Sequence, residues 1–132
     1  MKIILITIIS LLSLFSYKTS QAQQKDWLVR MAKIEVHQQY LEEYKSFLTE
    51  EIKASIAKEP GVLTLYAMHN KDNPHHISIV EIYANKAAYE KHIKTPHFLK
   101  YKNGTLNMIK SLQLIDMDPI LFETKNNLLK QP

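Results

Sequence analysis

Residues 80–101 read VEIYANKAAYEKHIKTPHFLKY, and the fold turns on how they divide. Val80–Ala84 has the β-branched and aromatic character of a strand end. Asn85 is a good N-cap for a short helix over Lys86–Lys94, in which Tyr89 and Ile93 fall one turn apart. Thr95-Pro96 then stops that helix and opens another, with proline at the first helical position. Two of the six histidines, His92 and His97, and three of the seven tyrosines, Tyr83, Tyr89 and Tyr101, lie in this stretch.

On the N-terminal side of this stretch, Leu28–His37 alternates as a half-buried strand. Leu28, Ala32, Ile34 and Val36 take one face, and Met31, Lys33, Glu35 and His37 the other. Gln38–Lys58 switches to helical period, with Tyr40, Leu41, Tyr44, Phe47, Leu48, Ile52 and Ile56 as its apolar stripe. Glu59-Pro60-Gly61 ends it, and the glycine is expected to supply a left-handed exit. Val62–His69 and Ile77–Ala84 read as a hairpin across the turn-rich Asn70–Pro74. The expected register sets His69 opposite His76 and Tyr66 opposite Ile79. Leu63, Leu65, Ala67, Val80 and Ile82 then share an aliphatic face, and Thr64, Tyr66, Met68, Ile79, Glu81 and Tyr83 a mixed one.

C-terminal to the stretch, the second helix of the break carries Phe98, Leu99, Tyr101, Leu106 and Ile109, with Gly104 as a weak point. Leu112–Met117 is a fourth strand, closed by Asp118-Pro119. The order is βαββαβ, the α+β ferredoxin-like arrangement of a four-stranded antiparallel sheet with its helices on one face. The aliphatic face is expected under the helices. The bare face, with Tyr66, Met68, Ile79, Tyr83, Ile115 and Met117, is then apolar enough to pair with a second copy. That homodimer leaves side pockets between sheet and helices. Glu81 on such a seam needs a partner, for which Lys33 and His37 are candidates.

Residues 1–22 read as a cleavable signal peptide: Lys2, an apolar run over Ile3–Phe15, and a small-x-small site at Ser20-Gln21-Ala22. The run is shorter than the roughly 20 residues of a spanning helix. The expected address is periplasmic or secreted, with no membrane anchor after cleavage. The chain divides into that leader, a domain over 27–118 and a tail over 119–132. Beyond residue 22, the seventeen basic residues lose only Lys2 and Lys18, so fifteen remain against thirteen acidic ones. Such a weak, dispersed net charge argues against nucleic acid as a partner. Without cysteine, thiol catalysis, disulfides and iron–sulfur clusters are excluded. His75-His76 on a strand would point to opposite sides, and His92 and His97 lack a carboxylate at ligand spacing, so no metal site is read. Tyr89 and Phe98 read as core. No nucleophile elbow, phosphate loop or dinucleotide fingerprint is present.

The segment HIKTPHFLKY at His92–Tyr101 resembles the helix-break signature of antibiotic biosynthesis monooxygenase (ABM) domains, bacterial quinol monooxygenases among them. Ala32-Lys33-Ile34, Glu59-Pro60-Gly61 and Glu81-Ile82-Tyr83 match further markers, with Tyr83 where many relatives carry tryptophan. The resemblance implies a dimeric α+β barrel that oxygenates a quinol or phenolic substrate with O₂ and no cofactor. It makes His97 the base or proton relay and Glu81 its catalytic companion. Tyr83 is placed beside the substrate by the same motif, and Tyr66, His92 and Met68 by the expected strand and helix faces, with His97 aimed at the wall that Glu81 and Tyr83 share. Haem-degrading relatives differ where this chain has His92 and Lys102. The alternatives are a non-catalytic periplasmic small-molecule binding or stress-response module using the same dimer cavity, or an isomerase-type member.

Overall fold

A computed structural model describes residues 26–125. The expected signal peptide, its cleavage site and the last residues of the tail lie outside them. The elements are β1 (Leu28–Val36), a 3₁₀ turn (Gln38–Tyr40), α1 (Leu41–Lys58), β2 (Val62–His69), β3 (His76–Tyr83), α2 (Lys86–His92), α3 (Pro96–Thr105) and β4 (Ile109–Met117). The strands form one antiparallel sheet in the order β2-β3-β1-β4, the ferredoxin-like α+β topology. Residues 119–125 carry neither helix nor strand, and Phe122 stacks on Trp27. No helix among the described residues is long and apolar enough to cross a membrane.

The helix break is built as its side chains demand. The Asn85 side chain accepts from Ala88 N at 2.8 Å, a cap of about 1 kcal/mol. Thr95 accepts from Phe98 N while Pro96 occupies the first turn of α3. Gly61 and Gly104 have another purpose than the one expected. Neither has a positive φ. A Cβ on Gly61 would sit 2.6 Å from Ala88 Cβ, and one on Gly104 2.5 Å from the Phe47 ring. Both glycines therefore allow close approach of packed elements.

The hairpin register differs from the expected one. Tyr66 lies opposite Val80 and His69 opposite Ile77, with a shift between Val62 and Thr64. The one-residue slip moves every β3 side chain to the other face. Ile77, Ile79, Glu81 and Tyr83 lie under the helices with Leu65 and Ala67, whereas Val80 and Ile82 join Tyr66 and Met68 on the open face. Tyr66 and Met68 therefore lie across the sheet from Tyr83, Glu81 and His92 and do not line the cavity with them. Lys33 and His37 do not face Glu81 either; its cross-strand neighbour is Arg30.

α1 turns Tyr40, Leu41, Tyr44, Phe47, Leu48 and Ile52 to the core as expected, but not Ile56. Its buried line runs Tyr44, Leu48, Glu51, Ser55, at helical spacing, and leaves Ile56 half exposed. The main core joins Ala32, Ile34 and Val36 of β1 to Ile77 and Ile79 of β3, Tyr44 and Leu48 of α1, and Met108. β4 starts three residues before the expected Leu112 and forms an edge whose Leu112 and Leu114 stay half exposed.

Candidate active site

Between sheet and helices lies a cavity of about 320 Å³, a size suited to a small organic molecule. Its floor is ordered by the register. One rung crosses the sheet as Asp116, Arg30, Glu81 and Leu65; the next runs Leu114, Ala32, Ile79 and Ala67. The floor is therefore charged at one end and aliphatic beyond it. Helix α1 contributes Leu48 and Glu51, α2 contributes Tyr89 and His92, and α3 contributes Phe98, Tyr101 and Lys102.

His92 is the central polar group of the roof and is only 3 % exposed. Its Nδ1 lies 3.0 Å from Glu59 Oε2, and its Nε2 lies 3.5 Å from Glu51 Oε1. Burial raises the Glu59 pKa, but hydrogen bonds from His92 and His97 outweigh that and hold it below the usual carboxylate range. An ionised Glu59 accepts, so His92 donates from Nδ1. Nε2 is then the basic nitrogen, and it faces Glu51, which lines the cavity with it. A carboxylate that fixes the tautomer of an imidazole is the positioning logic of a hydrolase triad, without the serine.

His97 is placed elsewhere. Its Nε2 lies 2.6 Å from the same Glu59 oxygen, and its ring borders a second groove with Lys58, Lys91 and Pro96. It does not line the cavity that Glu81 and Tyr83 face. The Thr95-Pro96 break aims His97 at the back of the Glu59 carboxylate, and His92, at the end of α2, takes the place at the cavity.

The other acids are held differently. Burial pushes the Glu51 and Glu81 carboxyls up, toward the neutral form. Ser55 Oγ donates to Glu51 at 2.6 Å, and Tyr83 Oη donates to Glu81 at 3.0 Å. The Tyr83 side chain is almost fully enclosed, and burial drives its phenol far above the usual value. Tyr101 shares a 2.6 Å hydrogen bond with Tyr44 and is pushed by burial up to about 12. Among the described residues no buried side-chain polar atom lacks a hydrogen-bond partner.

Sequence reasoning missed Glu51, Glu59 and Arg30 as site residues, and Tyr89 and Phe98 as cavity walls rather than plain core. Glu51 was within reach, because it continues the Tyr44–Leu48 line at helical spacing. Glu59 was visible only as part of a stop signal; its meeting with His92 and His97 across 33 and 38 residues is tertiary.

Among the described residues, two clusters bring together potential metal ligands. Glu35, His75 and His76 form one, because His75 precedes β3 and its ring lies 4.6 Å from that of His76 instead of across the strand. Lys110 Nζ already pairs with that Glu35 at 3.1 Å. Glu59, His92 and His97 form the other, with a carboxylate that the local spacing did not reveal. There the ring centroids stand 6.4 Å apart with the Glu59 oxygen bonded to both. That is the geometry of a hydrogen-bonded bridge; a tetrahedral ion at ~2.1 Å from each ligand would need the rings closer.

The family model for antibiotic biosynthesis monooxygenases matches residues 28–104, the whole frame of this cavity except β4. A Bacteroides thetaiotaomicron protein assigned to the same monooxygenases is 48 % identical, with 77 % of this chain and 99 % of that one covered at a TM-score of 0.76. A Lactobacillus acidophilus protein assigned as a monooxygenase is 31 % identical over 70 % of this chain and 50 % of its own, at a TM-score of 0.67. A Nitrosomonas europaea structure shares the fold at 18 % identity and a TM-score of 0.67, covering 71 % and 90 %. No curated protein matches the sequence. By the family match and the 48 % identity together, the chain belongs to the antibiotic biosynthesis monooxygenase family.

Proposed function

We propose that the chain is a cofactor-independent monooxygenase that oxygenates a quinol or related phenol with O₂ in the cavity between sheet and helices. The observation that carries this reading is the His92–Glu59 pair, which presents a basic nitrogen to a largely apolar cavity open on one side. Such a substrate supplies both electrons and needs only a base, a dry pocket and stabilised charge. His92 Nε2 takes a hydroxyl proton, with Glu59 holding the imidazole and the imidazolium that forms. The quinolate passes one electron to O₂, and the semiquinone and superoxide join at a ring carbon as a hydroperoxide. Loss of water from it leaves the hydroxylated quinone, so one quinol and one O₂ give one hydroxyquinone and one water. Glu51, kept toward its neutral form, is a proton donor for the departing oxygen. Glu81 and Tyr83 orient the ring from the floor. His97 acts through Glu59 as a positioning residue.

Oxygen uptake with a panel of chemically reduced quinones tests the reaction. Uptake with release of a hydroxylated product is expected, and its loss in His92→Gln is expected with it. Binding of the same quinones without any uptake would instead favour a small-molecule binding module.

The reading includes two further proposals. Two copies pair through the open face, where Tyr66, Met68 and Met117 stay exposed beside Val80. A dimeric mass by light scattering at micromolar concentration is expected. The chain is also exported with cleavage after Ala22, which N-terminal sequencing of the cell-derived protein checks.

A further inference from the structure

Arg30 is the chain's single arginine, and it lies in the floor of the cavity on a central strand of the sheet. Its side chain is 12 % exposed, so its charge is largely withdrawn from water and requires acceptors. Two contacts fix the guanidinium. Nε donates to Asp116 Oδ1 at 2.7 Å, and the carbon of the fork lies 4.4 Å over the Tyr89 ring. Asp116 and the Tyr89 hydroxyl both favour the charged form, and together they leave most of its five N–H donors free.

The groups around it leave its charge available. Asp116 on β4 is mostly exposed to solvent, so water screens its compensation. Glu81 on β3 is the cross-strand neighbour and feels the Arg30 charge, yet no ion pair joins the two among the described residues, burial keeps its carboxyl toward the neutral form, and Tyr83 supplies its hydrogen bond. On α1, burial disfavours the charge of Glu51. The remaining ionisable side chains on this wall outside the aromatic ones are His92 of α2 and Lys102 of α3, neither of them an acid. A rigid, planar, weakly hydrated cation thus faces an apolar space with aromatic walls, and its natural complement is a delocalised anionic oxygen on a ring.

We propose that Arg30 is the anion-binding residue of the cavity and holds the ionised ring oxygen of the substrate there. Asp116 and Tyr89 act as positioning residues that lock the fork. On binding, the phenolic O–H breaks and its proton passes to His92 Nε2. The oxygen stays at Arg30, and the ring lies toward Phe98 and Tyr101. Nothing is oxidised in this step. The inference rests on the reading of the cavity as a phenol site, and it deepens that reading.

The test uses 4-nitrophenol, whose phenolate is yellow, bound to the full-length mature protein and titrated by absorbance. An opposite charge within a few ångströms lowers the apparent pKa of an acid by 1–3 units. Bound 4-nitrophenol is expected to ionise at least one unit below the free dye, with roughly tenfold tighter binding of the phenolate than of the phenol. Arg30→Gln is expected to lose most of that shift while keeping its far-ultraviolet circular dichroism; if it does not fold, the wild-type pH profile decides. A bound dye that titrates like the free one, tighter binding of the neutral form, no binding at all, or an undiminished shift in folded Arg30→Gln would each overturn the proposal. Oxygen has no part in this measurement. Phenolate binding without oxygen uptake from any quinol removes the oxygenase reading alone. Uptake that survives in Arg30→Gln removes the anion site alone.

Discussion

The two faces of this sheet are made from the same four strands and treat polarity in opposite ways. The covered face holds Arg30, Glu81 and Tyr83, and helices above it add Glu51 and His92. The open face sets Tyr66, Met68 and Val80 among residues such as Lys33 and Ser78. Burial ordinarily selects apolar side chains, yet the more buried face carries the ionisable cluster. The reason is that α1 and the residue that closes it supply partners: Glu59 for His92, Ser55 for Glu51 and Tyr44 for Tyr101. A polar group is tolerated inside when every hydrogen bond is made, and such a group is then fixed in place. Polarity on a covered face is thus a mark of a site.

The largest expected effect breaks that comparison if it fails. Replacing His92 by glutamine should lower kcat/KM for quinol oxidation by roughly 10²–10⁴, the range of a positioned general base. Ser78→Ala on the open face should leave the rate unchanged. A rate ratio near one for His92→Gln, in a protein of unchanged melting temperature, would move the chemistry out of the cavity. Glu59→Ala follows closely. It removes the shared acceptor of two rings, and leaving a buried donor without its acceptor costs about 1–3 kcal/mol. Urea unfolding should show a loss of that order, whereas Glu59→Gln keeps an acceptor and should lose less.

How far this was legible in the sequence depends on the range of each signal. The strands, the helices and both caps around residues 85–96 follow from local chemistry, and so does the α+β order. The face of β3 does not. Its hydrophobic alternation is ambiguous, because Ile77, Ile79, Val80 and Ile82 supply apolar residues in both phases. The irregularity between Val62 and Thr64 and the length of the loop set the pairing. One residue of slip carried Ile79, Glu81 and Tyr83 away from Tyr66 and Met68. The helix-break motif located the right neighbourhood, but it could not tell which of two histidines five residues apart reaches the cavity. Glu59 decides that, and it comes from the far end of α1.

Dimerisation sharpens the comparison from the other side. Val80 stands on the open face, opposite Tyr66 on β2 and Met31 on β1. Val80→Glu should place two like charges at a seam formed by two copies, a juxtaposition that costs several kcal/mol. An increase of 100-fold or more in the dimer dissociation constant is expected by sedimentation, with the monomer fold intact. The same charge on an unpaired face would change nothing, and the proposed dimer would then use another surface.

The smallest expected effect concerns pH, and here the covered face contradicts itself usefully. Glu59 has a lowered pKa in the folded chain, so its stabilisation is complete above the ordinary carboxylate value and is lost as pH falls through the folded one. Glu51 runs the other way. Its pKa is raised, so the folded state holds its proton longer than the unfolded chain, and that stabilisation disappears as pH rises through the folded value. Glu51→Gln keeps an acceptor for Ser55 Oγ and has no proton to lose. Melting temperatures of variant and wild type should therefore be close at pH 4 and diverge toward pH 7, with the variant higher. Glu59→Gln should show the reverse pattern, a deficit at pH 7 that narrows on acidification. If both variants gave pH-independent offsets, the two carboxyls would not differ in ionisation. Glu59 would then lose its role as the anion that sets the His92 tautomer, and Glu51 its role as a retained proton.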